Sequence, residues 1–111
     1  MRNLVFVLAC WMHLLNTAYA DQALAKSKNC FACHAVDKTI MGPSYKDVAA
    51  KYAGNKEAVD LLAKKIQLGG EGVWGNIPMP PHPQVNDAQA KKLATWVLSI
   101  KLFSLSPLAV A

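Results

Sequence analysis

The chain contains 111 residues with 12 Lys and Arg against 7 Asp and Glu, giving a formal net charge of +5, and 53% of its residues are apolar. A chain this short excludes more than one domain. Its basic residues are scattered rather than clustered, which argues against nucleic acid as a partner.

Residues 1–20 have the pattern of an export signal. Fifteen of them are apolar, none is acidic, and Arg2 is the only basic side chain. An apolar core over 4–15 is followed by AYA at 18–20, a small-x-small cleavage pattern. Cleavage after Ala20 would leave 91 residues with a charge of +4. Because the apolar run is shorter than the ~20 residues of a spanning helix, we expect a cleaved signal peptide and no stable membrane insertion.

The remaining chain has two cysteines, both in the pentapeptide CFACH at 30–34. A helix predicted over 21–29, with an acid at its start and lysines near its end, precedes them. C-x-x-C-H is the attachment signal for c-type haem, in which two thiols add to the porphyrin vinyl groups and the adjoining imidazole reaches the iron. The motif therefore favours one haem c bonded to Cys30 and Cys33, with His34 as an iron ligand.

Other interpretations of this pentapeptide remain open on the residues alone. A disulfide between Cys30 and Cys33 would close a very small loop and constrain the unfolded chain little. A thioredoxin-like redox pair expects a βαβ context, which this sequence lacks. A structural zinc site normally needs four ligands, and only His82 could join the cluster. Chance occurrence is the last alternative.

Two helices are predicted after the motif. Ser44 followed by Asp47 resembles a capping box that opens a short helix with one apolar face: Val48, Ala49, Tyr52. A longer helix is predicted over 56–68, where apolar residues recur at helical spacing: Val59, Leu62, Ala63, Ile66. Two glycines follow it and predict its end.

A last helix is predicted from Asn86, with Gln89 three residues on, to about Lys101. On the preceding helix, Asp60 and Lys64 are spaced for an ion pair. No stretch alternates with period two, so the fold class is all-α. The sequence contains no internal repeat and no second domain.

A stiff loop precedes the last helix. Residues 71–85 hold four of the six prolines, and because proline fixes φ and lacks an N–H donor, this segment cannot form helix or central strand. Met79 lies in its middle, within IPMPP at 77–81. Most methionines fill cores. A flexible side chain on so rigid a backbone indicates instead that its sulfur is directed at a specific partner. Haem iron commonly takes a His and a Met in electron-transfer cytochromes, so we predict Met79 as the second axial ligand.

With these motifs, residues 21–101 resemble the small bacterial class I cytochromes c of the cytochrome c-551, or cytochrome c8, type. The segments that carry the resemblance are CFACH at 30–34, MGPSYKDVA at 41–49, GVWG at 72–75 with IPMPP at 77–81, and LATWVLS at 93–99. We take residues 21–101 as one cytochrome c domain.

The resemblance implies about four short helices wrapped around one covalently attached haem c. It implies that Pro43 offers its carbonyl oxygen to the free ring nitrogen of His34, which would fix the imidazole. It also implies that the Trp74 indole N–H lies near a haem propionate, assisted by Lys65 where the family usually has Arg. Trp96 is assigned to core packing.

Some positions depart from the family pattern. Ala25 replaces a frequent Phe, so we expect the helix crossing to be repacked with Leu24. Asn29 replaces a Gly that allows close approach of the last helix. His82 takes the place of an Asn that contacts the Met sulfur in some relatives, where a protonatable group would give a pH-dependent potential, but we favour a solvent-exposed loop histidine. Residues 102–111 form an extra apolar tail of unknown role.

With both axial positions filled, the iron offers no site to a substrate, so we expect an electron carrier and not an enzyme. The resemblance implies a periplasmic monomer that passes electrons from a quinol-oxidising complex to a terminal reductase, oxidase or peroxidase. Redox partners would dock weakly at an exposed haem edge framed by the 30–34 turn, Met41 and loop residues near Ile77 and Val85. The alternative function is a haem enzyme or gas sensor with a displaceable Met79.

Overall fold

The computed structural model describes residues 21–104, with side chains to residue 100, so the predicted signal peptide and tail residues 105–111 lie outside the described residues. The chain is helical over residues 21–27 (α1) and forms a short 3-10 helix at Cys30–Ala32. Three further helices follow: α2 (Tyr45–Lys51), α3 (Ala58–Leu68) and α4 (Asp87–Ser104). Residues 21–104 contain no strand, and one antiparallel bridge joins Gly70 to Met79. The predicted all-α fold of four helices is confirmed.

The start of each capped helix follows the sequence prediction. The Ser44 hydroxyl accepts a hydrogen bond from the Asp47 N–H at 3.0 Å, which satisfies one of the free donors in the first turn of α2. At α4 the capping box is reciprocal: the Gln89 N–H donates to Asn86 Oδ1 at 2.8 Å, and the Asn86 N–H donates to Gln89 Oε1 at 3.1 Å. These local bonds fix where both helices begin.

Helix α4 packs against α2 and α3 and supplies much of the core. The buried cluster joins α1, α2, α3, the loop before α4, and α4 itself: Ala25, Tyr45, Ala63, Val85, Ala90, Leu93, Trp96, Ile100. Half of the buried apolar residues in the described chain are alanines. Leu24 packs against this cluster beside Ala25, as expected for the repacked helix crossing.

The backbone conformation at Asn29, rather than close approach of the last helix, explains which residues suit this position. It lies just before the 3-10 helix with φ 63° and ψ 21°, and it is the only residue other than glycine with positive φ in residues 21–104. Asn tolerates this left-handed conformation better than most side chains. The left-handed backbone conformation therefore accounts for an Asn at this position.

Two details differ from expectation. Asp60 lies 4.0 Å from Lys91 of α4 rather than pairing with Lys64 on its own helix, because the packing of α3 against α4 brings these charges together. Helix α4 continues to Ser104, so residues 102–104 of the predicted tail belong to the helix. None of the helices in residues 21–104 is long and apolar enough to cross a membrane.

Replacing Asn86 by Ala should lower the free energy of unfolding by about 1 kcal/mol, because the first turn of α4 loses its cap. Denaturant unfolding of the haem-loaded protein measures this loss. Asn76→Ala is the matched control, since Asn76 is exposed in the loop and caps no helix. Equal losses in the two variants would contradict the capping role.

Candidate functional site: an apolar cleft between the CFACH turn and the Met79 loop

The CFACH turn places two thiols and an imidazole on one wall of a cleft. Cys30 and Cys33 are not joined by a disulfide, both are half-buried, and both line the cleft together with His34. Burial raises the pKa of the Cys30 thiol. A redox-active C-x-x-C pair works through a lowered thiol pKa, so this environment does not suit that chemistry.

The His34 ring is oriented by a backbone carbonyl. Its Nδ1 lies 2.8 Å from the Pro43 oxygen. A carbonyl oxygen only accepts, so Nδ1 must carry the proton, which leaves the Nε2 lone pair free for a metal. The expected contact between Pro43 and His34 is therefore present.

The segment around Pro43 is held beside the CFACH turn by three backbone hydrogen bonds. The N–H groups of residues 42, 45 and 46 donate to the carbonyls of residues 33, 35 and 36 at 2.7, 2.9 and 3.0 Å. Gly42 approaches the imidazole so closely that an added Cβ would lie 2.6 Å from His34 Cε1. Sequence reasoning did not single out Gly42, although its place directly before Pro43 was visible.

Aromatic side chains support the His34 ring from behind. The Tyr45 ring lies nearly parallel to it, with centroids 5.3 Å apart and an interplanar angle of 23°. Tyr45 also makes edge contacts with Phe31 and Trp96, at centroid distances of 5.6 and 5.2 Å. Burial raises the pKa of the Tyr45 phenol well above its usual range, so the ring beside His34 stays neutral. Trp96 is 9% exposed, in agreement with a core role.

Met79 lies on the same cleft as His34. Its side chain is half-buried, while its backbone pairs with Gly70 directly after α3. The cleft thus brings together two thiols, an imidazole with a free Nε2, and a thioether. This donor set, on a largely apolar wall, fits a covalently attached haem c.

The mouth of the cleft carries exposed apolar side chains: Met41, Val73, Trp74, Ile77. Met41 and Ile77 are 60% and 63% exposed. The expectation for Val85 is wrong. Val85 is 2% exposed and belongs to the core cluster, and a hydrogen bond from Gln67 Nε2 of α3 to its carbonyl oxygen holds it against the helix.

Trp74 and Lys65 both line the cleft. Trp74 is 45% exposed, and Lys51 Nζ lies 5.4 Å from the centroid of its ring, a cation–π distance. This Lys51 contact joins two segments that are far apart in the sequence, and no local pattern predicts it. Lys65 Nζ lies beside Gly70, where an added Cβ would come within 2.6 Å of it. The propionate contacts of Trp74 and Lys65 stay predictions.

His82 is half-buried on the cleft, so it is not an exposed loop histidine. Its Nδ1 lies 3.2 Å from the Ile66 carbonyl oxygen, near the end of α3. This partner lies far from residue 82 in the sequence and could not be predicted from local pattern.

Four helices around an apolar cleft that carries a C-x-x-C-H turn define a class I c-type cytochrome. The family model for Cytochrome c matches residues 20–101, and the chain belongs to this family. Its members carry electrons through a covalently bound haem c, and this protein accordingly binds haem c and is an electron carrier.

Among curated relatives, the chain is 54% identical to cytochrome c-552 of Hydrogenobacter thermophilus over 96 residues, covering 86% of this chain and 97% of the relative. It is 50% identical to cytochrome c-551 of Pseudomonas aeruginosa over 100 residues, covering 88% and 95%. The crystal structure of Nitrosomonas europaea cytochrome c552 superposes with a TM-score of 0.71 at 54% identity, covering 72% of this chain and 99% of that one.

Gly42→Ala should displace the His34 ring or the Pro43 backbone, because the added methyl group collides with the imidazole. We expect a loss of about 1–3 kcal/mol in unfolding free energy from overpacking, together with a shift of the His34 Nδ1–H resonance in NMR spectra of the reduced protein. Gly54→Ala is the control: Gly54 has φ 78° but no neighbour within 4 Å of an added Cβ. It should lose stability while the His34 resonance stays in place. An unmoved resonance in Gly42→Ala would refute the steric argument.

Proposed function

We propose that this protein is a periplasmic carrier that transfers one electron at a time through a His/Met-ligated haem c. In this proposal Cys30 and Cys33 form the two thioether bonds, and His34 and Met79 bind the iron axially. The donor is a quinol-oxidising complex, and the acceptor is a terminal reductase, oxidase or peroxidase.

The observation that carries the proposal is the hydrogen bond from His34 Nδ1–H to the Pro43 oxygen at 2.8 Å. It holds the ring in the one tautomer that presents Nε2 as a ligand, and it raises the basicity of that nitrogen. The Tyr45 ring behind His34 limits rotation of the imidazole. Met79 lies on the same cleft, so a second ligand of the kind common in carriers is at hand.

An electron carrier differs from a haem enzyme in that its iron has no coordination position free for a substrate. His34 and Met79 together would leave the haem iron no site for a substrate, and the bound haem would supply one-electron chemistry. The chain supplies the surroundings: the apolar wall excludes water, and thioether ligation together with burial favours the ferrous form. Both effects predict a relatively high reduction potential.

The exposed apolar mouth suits brief docking of redox partners. Met41 and Ile77 offer apolar contact area, and Lys51 lies over the nearby Trp74 ring. The charge of +4 that remains after signal cleavage would steer the protein toward acidic partner surfaces. A small interface with this composition gives fast association and fast release, which electron carriers need.

Export to the periplasm rests on residues 1–20, whose basic start, apolar core and AYA end match a cleaved signal. Covalent haem attachment in the proposal applies to the chain after cleavage. Its mass should therefore equal residues 21–111 plus one haem.

Met79→Ala should abolish the charge-transfer absorption band of the sulfur–iron bond in the ferric protein and lower the reduction potential, because the sulfur ligand is lost. Met41→Ala is the matched control, since Met41 is exposed at the mouth. The ferrous wild type should bind carbon monoxide slowly, whereas Met79→Ala should bind it rapidly. An unchanged spectrum in Met79→Ala would remove Met79 as ligand. Rapid, tight carbon monoxide binding by the wild type would favour a gas sensor or haem enzyme instead.

Removing the haem should leave a poorly folded chain. Half of the buried apolar residues among those that the structure describes are alanines, and without haem the apolar cleft wall would face water. Circular dichroism of the haem-free protein should show reduced helix content and a broad thermal transition. A cooperative melt with native helix content would contradict this expectation.

A further inference from the structure

The segment that carries Met79 is attached to the end of α3. The Met79 N–H donates to the Gly70 oxygen at 2.8 Å, and the Gly70 N–H donates to the Met79 oxygen at 3.1 Å. Gly69, with φ 72°, lies so close that any Cβ would collide with the Met79 carbonyl oxygen. The backbones of the two segments therefore touch with no side chain between them.

His82 makes a second attachment to the same helix end. Its backbone N–H donates to the Gln67 oxygen at 3.1 Å, and its ring Nδ1 lies 3.2 Å from the Ile66 oxygen. The last turn of an α-helix leaves carbonyl groups without partners inside the helix. One loop residue thus satisfies two of these carbonyls of α3, one with its main chain and one with its ring.

The ring bond requires a particular proton position. Because the Ile66 carbonyl only accepts, Nδ1 of His82 must be the donor. The half-buried ring is then fixed with its Nδ1 edge on α3. A hydrogen-bond donor or a cation at the carboxyl end of a helix is favourable. The neutral ring with its proton on Nδ1 and the imidazolium can therefore both make this bond.

The two attachments bracket a stiff span. Only Pro80 and Pro81 separate Met79 from His82. Proline has φ fixed near −65° and offers no N–H, so this span holds few conformations of its own. Fixing Gly70 against Met79 at one end and His82 against α3 at the other fixes the direction in which the Met79 side chain leaves the backbone.

We propose that His82 is a positioning residue for Met79: its ring, hydrogen-bonded to Ile66, holds the Met79 segment on the end of α3 and so keeps the sulfur on the iron. The inference rests on the proposed role of Met79 as an axial ligand. It assigns to residue 82 a contact with the helix end rather than with the sulfur itself.

The test replaces His82 by Asn and by Leu in the haem-loaded protein. The Asn amide nitrogen is as many bonds from Cα as His Nδ1 and can donate, whereas Leu has a similar shape and no donor. The measurement is the rate at which added imidazole displaces the sulfur ligand of the ferric protein, followed by loss of the sulfur–iron charge-transfer band. We expect His82→Leu to speed displacement about fivefold, the factor typical of one lost hydrogen bond. His82→Asn should stay within about twofold of the wild type.

Ser99→Ala is the control for a general loss of stability. It removes another hydrogen bond from a half-buried side chain to the backbone, from Ser99 to the Trp96 oxygen within α4. This variant should leave the displacement rate unchanged. If Ser99→Ala speeds displacement as much as His82→Leu does, or if His82→Leu behaves as the wild type, the positioning role is overturned. His82→Ala gives the same comparison if the leucine variant does not assemble with haem.

A second measurement addresses the bond itself. Nitrogen NMR of the reduced protein should show the His82 ring protonated at Nδ1, and a ring protonated at Nε2 alone would overturn the inference. Failure of the proposed function has a different signature. If the wild type lacks the sulfur–iron band, the Met79 ligand and its positioning residue fall together. If the band is present and imidazole displaces the sulfur of His82→Leu no faster than that of the wild type, only the positioning role falls.

Discussion

The hydrogen bond from His34 Nδ1 to the Pro43 carbonyl joins the two segments on which the cleft depends. One is the CFACH turn, and the other leads into α2. Three backbone hydrogen bonds between the same segments bring the carbonyl to the ring, and Gly42 leaves room for the imidazole. Ser44 then begins α2 two residues later and places the Tyr45 ring against His34. Residues 42–47 therefore orient the imidazole, support it and begin the next helix.

The composition of the core follows from the presence of a large prosthetic group. Helices α1, α3 and α4 meet through small side chains such as Ala25, Ala63 and Ala90, which bring the helix backbones close together. Such contacts bury little apolar area per residue, and a chain of this size gains limited stability from its own core. The haem supplies the missing apolar volume, while the bulky aromatic residues Phe31, Tyr45 and Trp96 gather behind the His34 wall.

Whether the sequence predicted an interaction depends on how far apart its two partners lie along the chain. The CFACH turn and the caps at Ser44 and Asn86 are set by neighbouring residues, and their patterns identified them. The last three helices followed from apolar spacing, the first followed from its charge pattern, and the contact between Pro43 and His34 followed from family resemblance. The partner of His82 and the burial of Val85 were missed, because both depend on how the loop returns to α3. No local pattern encodes an approach between backbones that are far apart in sequence.

The two walls of the cleft, one carrying His34 and the other carrying Met79, differ in how firmly the surrounding structure holds them. The His34 wall closes through hydrogen bonds between residues about ten positions apart, backed by stacked aromatic rings. The Met79 wall is a proline-rich loop without regular secondary structure, held mainly where its backbone meets α3. Segments with few buried contacts open at lower free-energy cost than packed elements. In the proposed ligand set, Met79 is therefore the ligand that leaves first, and the strength of its attachment to α3 decides how closed the iron site remains.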